Sequence, residues 1–331
     1  MSADVPGAPP PGPFAPARGW EHNTNARHRE VLHVSNESAH RVAPATIEIR
    51  EIELPLATLR VGTAGDGPPV IMVPATISLI EDWEPMIRFV AERYSAYFFE
   101  LPGYGGSTPF GQPFSSRLVA QAVGQLADAI GAGRFGVLGF SFGGLLALRT
   151  LQAMPDRVDR LGLLSPYVGK EALLHSDAKI GALRTMLGAL RTEVARRGMV
   201  AALHTPVGRS FVSWFMQSAG KFETPTDIRG RLAAFSVHSL EVLIAQTTEV
   251  LTTSTAELAG PYDVPCLFGM SEFDTMLDFG TTQRFIHGSF ADVAEDVWDF
   301  PYHAPPEPFT LEDYERDYHA LLAWEPATRA G

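Results

Sequence analysis

Three residue types that together can make a hydroxyl reactive occur in this chain in settings that suit the task. Ser141 lies in Gly139-Phe140-Ser141-Phe142-Gly143, between the apolar run 135–140 and an Ala/Leu-rich stretch. A serine on a sharp strand-to-helix turn takes a strained backbone, and glycines two positions to either side let neighbouring backbone pass close. The following helix aims its N-terminal amides and positive dipole end at any negative charge that develops beside the hydroxyl. The same five residues also fit a turn with no chemistry.

A serine hydroxyl needs a positioned base, and histidine takes and returns a proton near neutral pH. Of the ten histidines, His303 stands in a proline-bounded loop, Trp298 to Phe309, just after an apolar run. His238, His287 and His319 fall in helical patterns, where a packed or solvated imidazole is the ordinary outcome. The imidazole in turn needs an acid that fixes its tautomer. Asp274, in Phe268-Gly269-Met270-Ser271-Glu272-Phe273-Asp274-Thr275, is assigned that role. Glu272 is the alternative acid, because spacing within a loop does not separate the two.

These residues need elements to bring them together. Thr46–Leu54 alternates apolar and polar residues as a half-buried strand does, with Thr58–Gly62 as its hairpin partner. Pro69–Val73 is apolar without alternation, which predicts a strand buried on both faces of a parallel sheet. Further strands are expected at Ala96–Leu101, Phe135–Phe140, Arg160–Leu164, Val264–Phe268 and Asp296–Phe300. Helices are expected at Ile80–Tyr94, Ser115–Ile130, Gly143–Met154, Phe279–His287 and Leu311–Trp324, with a short one near Ala26–Leu32. Strands alternating with helices of this length indicate right-handed crossovers on one mostly parallel sheet. Between Tyr167 and Ala259 the rhythm changes to helical segments alone, near 178–197, 209–219, 227–235 and 240–252. An insertion placed over the serine accounts for that change, with a helical extension of the core as the alternative. The expected division is therefore an N-terminal extension (1–43), a core (44–166 and 260–331) and a helical cap (167–259).

Composition narrows the class of protein. With 331 residues, 45% of them hydrophobic, the chain buries a large core. A formal charge of -12 argues against nucleic acid or an anionic membrane surface as the main partner. The one cysteine, Cys266, leaves no intramolecular disulfide to form, and its apolar setting marks it as a buried small hydrophobe. No stretch has the length of a membrane span, and the proline-rich start Met1–Arg18 lacks a signal pattern, so a cytoplasmic enzyme is expected.

The elbow Gly139–Gly144, the loop Glu100-Leu101-Pro102-Gly103-Tyr104-Gly105-Gly106-Ser107 and the order Ser141, Asp274, His303 together resemble the α/β-hydrolase superfamily, over roughly residues 45–325. The resemblance implies an α/β fold, a doubly wound, mostly parallel eight-stranded sheet with an inserted helical cap. The loop is similar to the family's D-x-P-G-x-G-x-S, with Glu100 in place of aspartate. Where family members commonly carry His-Gly after the third strand, this chain has Pro74-Ala75-Thr76-Ile77. Proline has no amide, so the oxyanion donors implied are the N–H groups of Thr76 and Phe142. Ile77, Phe140, Phe211, Trp214, Phe215 and Tyr302 are the candidate lining of a substrate pocket. The activity implied is serine hydrolysis of an ester, thioester or lactone on a small to medium hydrophobic molecule, with no cofactor and no metal. A lyase, cyclase or carbon-carbon hydrolase on the same residues, and a binding protein without turnover, are the alternatives. Oligomeric state is not readable from the sequence.

Overall fold

The alternating stretch after residue 45 forms β1 (Glu48–Glu53), which turns back antiparallel into β2 (Thr58–Ala64). Then follow β3 (Pro69–Val73), a 3-10 turn (Ile80–Trp83) leading into α1 (Glu84–Val90), β4 (Ser95–Phe99), α2 (Ser116–Ala129), β5 (Phe135–Phe140), α3 (Phe142–Ala153) and β6 (Val158–Leu164). A helical stretch carries α4 (Asp177–Ala189), α5 (Glu193–Leu203), α6 (Val237–Thr252) and α7 (Thr255–Leu258). The chain closes with β7 (Cys266–Ser271), α8 (Phe279–Ser289), β8 (Val293–Trp298) and α9 (Leu311–Asp317). This computed structural model describes residues 46–76, 78–210, 235–303 and 309–324, all within one compact unit, Ala43–Gly331. The proline-rich start, the expected helix at 26–32 and nearly all of the expected helices at 209–219 and 227–235 lie outside them.

The eight strands form one sheet in the order β1-β2-β4-β3-β5-β6-β7-β8. The β1–β2 and β2–β4 pairs are antiparallel and every other pair is parallel. Successive side chains of a strand point to opposite faces, and the core divides accordingly. Ile71 and Val73 of β3 and Val137 of β5 join one apolar cluster with α2 and α3; Val70, Met72 and Leu138 join the other with α1 and α9. Both faces are covered, which is why β3 and β5 read as unbroken apolar runs rather than alternating ones.

Several boundaries differ from the sequence expectation. Among the described residues β1 is an edge strand paired with β2 alone, and five of its six residues are exposed, so its alternation does not mark a half-buried strand. The helix expected over 80–94 opens as a 3-10 turn and ends at Val90, with Pro85 near its start, where a missing N–H costs nothing. The segment expected as one helix over 178–197 is two, because the Thr192 hydroxyl accepts from Ala195 N at 3.3 Å and starts α5 afresh. The last strand begins three residues before its expected start: β8 pairs Val293 with Cys266 and Trp298 with Ser271, and Phe300 has already left the sheet. The terminal helix breaks at Tyr318 and continues as a 3-10 turn, His319–Ala323. Tyr318 is buried against Trp298 at 4.6 Å and Tyr314 at 5.2 Å, and seating that ring outweighs continuing the helix.

The C-terminal segment is fastened across the sheet. Tyr94 Oη donates to the carbonyls of Leu321 (3.1 Å) and Trp324 (2.6 Å). The buried Arg160 guanidinium lies over the rings of Tyr94 (4.9 Å) and Trp324 (5.5 Å), a cation–π arrangement that compensates part of the cost of its burial. Gly136 makes room for it: a Cβ there would come within 2.7 Å of Arg160 Nε. Truncating a buried tryptophan costs about 3–5 kcal/mol. Trp324→Ala is therefore expected to lower the unfolding free energy obtained from urea titration by about 3–5 kcal/mol, and an unchanged free energy would show that the segment is not packed as described.

Candidate active site

The turn after β5 leaves little space for backbone. A Cβ on Gly139 would run into the carbonyl of Gly143, and one on Gly143 would come within 2.6 Å of Val73 O. Ser141 between them takes φ 54°, ψ -119°, outside the regions a non-glycine residue normally occupies. Its backbone is pinned on both sides: Ser141 N donates to Leu164 O at 3.0 Å, and Tyr167 N donates to Ser141 O at 2.8 Å. The hydroxyl is left at the C-terminal edge of the sheet, over the start of α3. Phe142 is the first residue of α3 and is buried, and the first amides of a helix have no intrahelical acceptor.

Asp274 and His303 reach the same edge from two loops, those leaving β7 and β8. His303 Nε2 lies 2.8 Å from Ser141 Oγ, and His303 Nδ1 lies 2.7 Å from Asp274 Oδ2. A carboxylate accepts, so Nδ1 carries the hydrogen and Nε2 is left to accept from the serine. The other oxygen of Asp274 accepts from the backbone N–H groups of Met276 (2.8 Å) and Leu277 (2.9 Å), which fixes the carboxylate in its loop. Asp274 is 6% exposed and His303 9%, so both bonds are largely shielded from water, where electrostatic interactions are stronger. Glu272, the alternative acid, is exposed and is not bonded to the imidazole; its amide donates to Trp298 O at 3.2 Å.

Of the other residues singled out from the sequence, Phe140 packs its ring 5.5 Å from that of His303 and 5.6 Å from Trp83. Tyr302 stacks on Phe300 at 4.4 Å, and Thr76 is exposed in the turn after β3. Ile77, Phe211, Trp214 and Phe215 lie outside the described residues. His238 and His287 are exposed and pair with Glu241 and Glu295, as expected for surface helices. Cys266 is buried, and burial pushes its thiol up, away from the thiolate that a nucleophile requires.

Two polar contacts that shape the site were not found from the sequence. The Ser271 hydroxyl donates to Phe300 O at 2.5 Å and accepts from Phe273 N at 3.1 Å, tying the loop of Asp274 to the loop of His303. A serine at the end of an otherwise apolar strand was the available signal. Tyr167, whose amide bonds to Ser141, sends its hydroxyl to the carbonyls of Val250 (2.8 Å) and Thr253 (3.2 Å) at the end of α6. One residue thus joins the serine turn to the helical segment. A cavity of about 420 Å³ lies between that segment and the loop after β4, lined by Pro102, Pro109, Phe110, Phe114, His238 and Val242 among others, and none of Ser141, Asp274 or His303 lines it.

Comparison with known proteins agrees with this architecture. A family profile described as alpha/beta hydrolase fold matches residues 68–217. The pimeloyl-[acyl-carrier protein] methyl ester esterase of Chromobacterium violaceum is 26% identical over 277 residues, covering 82% of this chain and 99% of that protein. The protein of the same name from Nitrosomonas europaea is 27% identical over 110 residues, 33% of this chain, and there the match spans only 42% of the relative's length. A thermophilic esterase from Thermogutta terrifontis superposes with a TM-score of 0.61 at 17% identity, over 84% of this chain and 97% of that one. The chain is similar to these proteins in sequence over part of its length and has the α/β-hydrolase fold.

Because Asp274, and not Glu272, bonds His303 Nδ1, Asp274→Asn is expected to slow modification of Ser141 by a fluorophosphonate by about 10⁴-fold, the scale on which losing the correct tautomer acts. Glu272→Gln is expected to leave that rate unchanged, and the reverse pattern would exchange the two roles.

Proposed function

We propose that this chain is a serine hydrolase that cleaves a carboxylic ester, thioester or lactone of a small to medium hydrophobic molecule through an acyl-enzyme. The observation that supports this reading is the unbroken hydrogen-bond chain from Ser141 Oγ through His303 to Asp274, at 2.8 and 2.7 Å, on a strained serine at a helix start. In the proposed reaction His303 Nε2 takes the hydroxyl proton as Ser141 Oγ attacks the carbonyl carbon. The imidazolium is stabilised by Asp274, and the N–H groups of Phe142 and Thr76 receive the developing oxyanion. Collapse of the tetrahedral intermediate expels the alcohol or thiol, which takes its proton from His303. Water, deprotonated by the same nitrogen, then releases the acid and restores Ser141.

Residues 167–259 act in this reading as a cap over the serine. Support comes from their helical content between β6 and β7 and from the Tyr167 link between Ser141 and α6. The relatives named as methyl ester esterases favour an ester over the other acyl substrates. Among the described residues no helix is long and apolar enough to cross a membrane.

The test is direct. A fluorophosphonate probe is expected to label the protein at Ser141, and Ser141→Ala to abolish both labelling and turnover of short p-nitrophenyl esters. Labelling without turnover of any ester, thioester or lactone would move the assignment to a lyase or carbon-carbon hydrolase. Folded protein that is not labelled would remove the hydrolase reading.

A further inference from the structure

Glu100 stands where the family's loop carries aspartate, and it is fully buried. Its carboxylate is the meeting point of three separate segments. Oε1 accepts from Arg60 Nη1 of β2 at 2.5 Å and from Ile80 N at 3.2 Å; Oε2 accepts from Gly106 N at 2.5 Å. The last of these contacts is made possible by Gly105, which takes φ 57° and leaves no room beside the carboxylate for a Cβ. Arg60 reaches outward as well, donating to Glu81 at 2.5 Å, and that hydrogen bond holds Glu81 below the usual carboxylate range.

The segments joined in this way are the ones the proposed reaction needs in register. Ile80 is four residues after Thr76 and begins the turn that closes the Pro74–Leu79 stretch. Gly106 lies in the loop after β4, whose Gly103 carbonyl accepts from Ser239 Oγ of α6 at 3.4 Å and whose Gly103 backbone packs against Val242. Proline in place of a more flexible residue restricts the near end of the stretch. Its far end is set by the Glu100 carboxylate.

We infer that Glu100 is a positioning residue for the proposed hydrolysis, holding the Thr76 segment at the distance from Phe142 that an oxyanion requires; this rests on the serine-hydrolase reading above. The length of the side chain is part of the inference. Aspartate, shorter by one methylene, would keep the contacts to Arg60, Ile80 and Gly106 only if the surrounding backbone moved toward it, and glutamine keeps the length but replaces one acceptor oxygen by a donor.

The experiment compares wild type, Glu100→Asp, Glu100→Gln and Glu81→Gln. It reads kcat and KM for p-nitrophenyl acetate per fluorophosphonate-titrated site, together with inhibition by phenylboronic acid as an oxyanion analogue. Counting only titrated sites removes any misfolded fraction, and whichever Glu100 variant folds carries the test. The expected result is a fall in kcat of about ten- to a hundredfold with KM changed less than about twofold, within the range for a weakened oxyanion donor. Boronate affinity is expected to fall in step, and Glu81→Gln to match wild type. Glu100 variants that lose only thermal stability, with kcat and boronate affinity per titrated site at wild-type values, would overturn the inference. A wild-type protein that takes no label would remove the hydrolase reading and the inference with it.

Discussion

The backbone of Ser141 is the constraint on which the rest of the site depends. A non-glycine residue held at φ 54°, ψ -119° costs about 1–3 kcal/mol, and it persists only where its surroundings over-determine it. Here they do so through β6, through Tyr167 and through two glycines that admit the crossing backbone. The strain puts the hydroxyl beyond the edge of the sheet and leaves the start of α3 beneath it, so in the proposed reaction the nucleophile and one of the two oxyanion donors, the Phe142 amide, come from one turn.

The two partners arrive there because the central strands are parallel. In a parallel sheet every strand ends on the same edge, so the loops leaving β5, β7 and β8 open side by side although their residues lie up to 162 positions apart in sequence. Topology brings the loops close, but it does not bring them to hydrogen-bond distance. That last adjustment is made by short polar contacts: Ser271 to Phe300 between the two loops, and Met276 and Leu277 to Asp274 within one of them. The imidazole, with one nitrogen on Asp274 and the other on Ser141, supplies in the proposed reaction a directed path for one proton.

The sheet and the serine turn were legible in the sequence because each rests on local pattern. Val70 to Val73 are apolar without a break since both faces of β3 are covered, and Gly139 and Gly143 flank Ser141 since backbone passes there. Where a residue's environment is set by a distant element, the pattern misled. Glu48–Glu53 alternates like a half-buried strand, yet among the described residues only β2 pairs with it. The last strand begins earlier than its composition marks because Glu295 and Asp296 interrupt Val293–Trp298 at the sheet edge, and its position follows from pairing with β7. Asp274 and Glu272 were inseparable by spacing, and the choice between them is made by a turn that buries one and exposes the other. The Glu100 network was invisible for the same reason, since its three donors come from three segments.

The central claim is that the serine turn, the imidazole and the amide donors form one unit built around a developing oxyanion. A crystal structure of the protein after reaction with a small alkyl fluorophosphonate tests it most directly. The expected result is phosphorus bonded to Ser141 Oγ, the phosphoryl oxygen about 3 Å from the amides of Phe142 and Thr76, and His303 Nε2 facing the leaving-group position. An adduct on another residue, or a phosphoryl oxygen turned away from both amides, would contradict it.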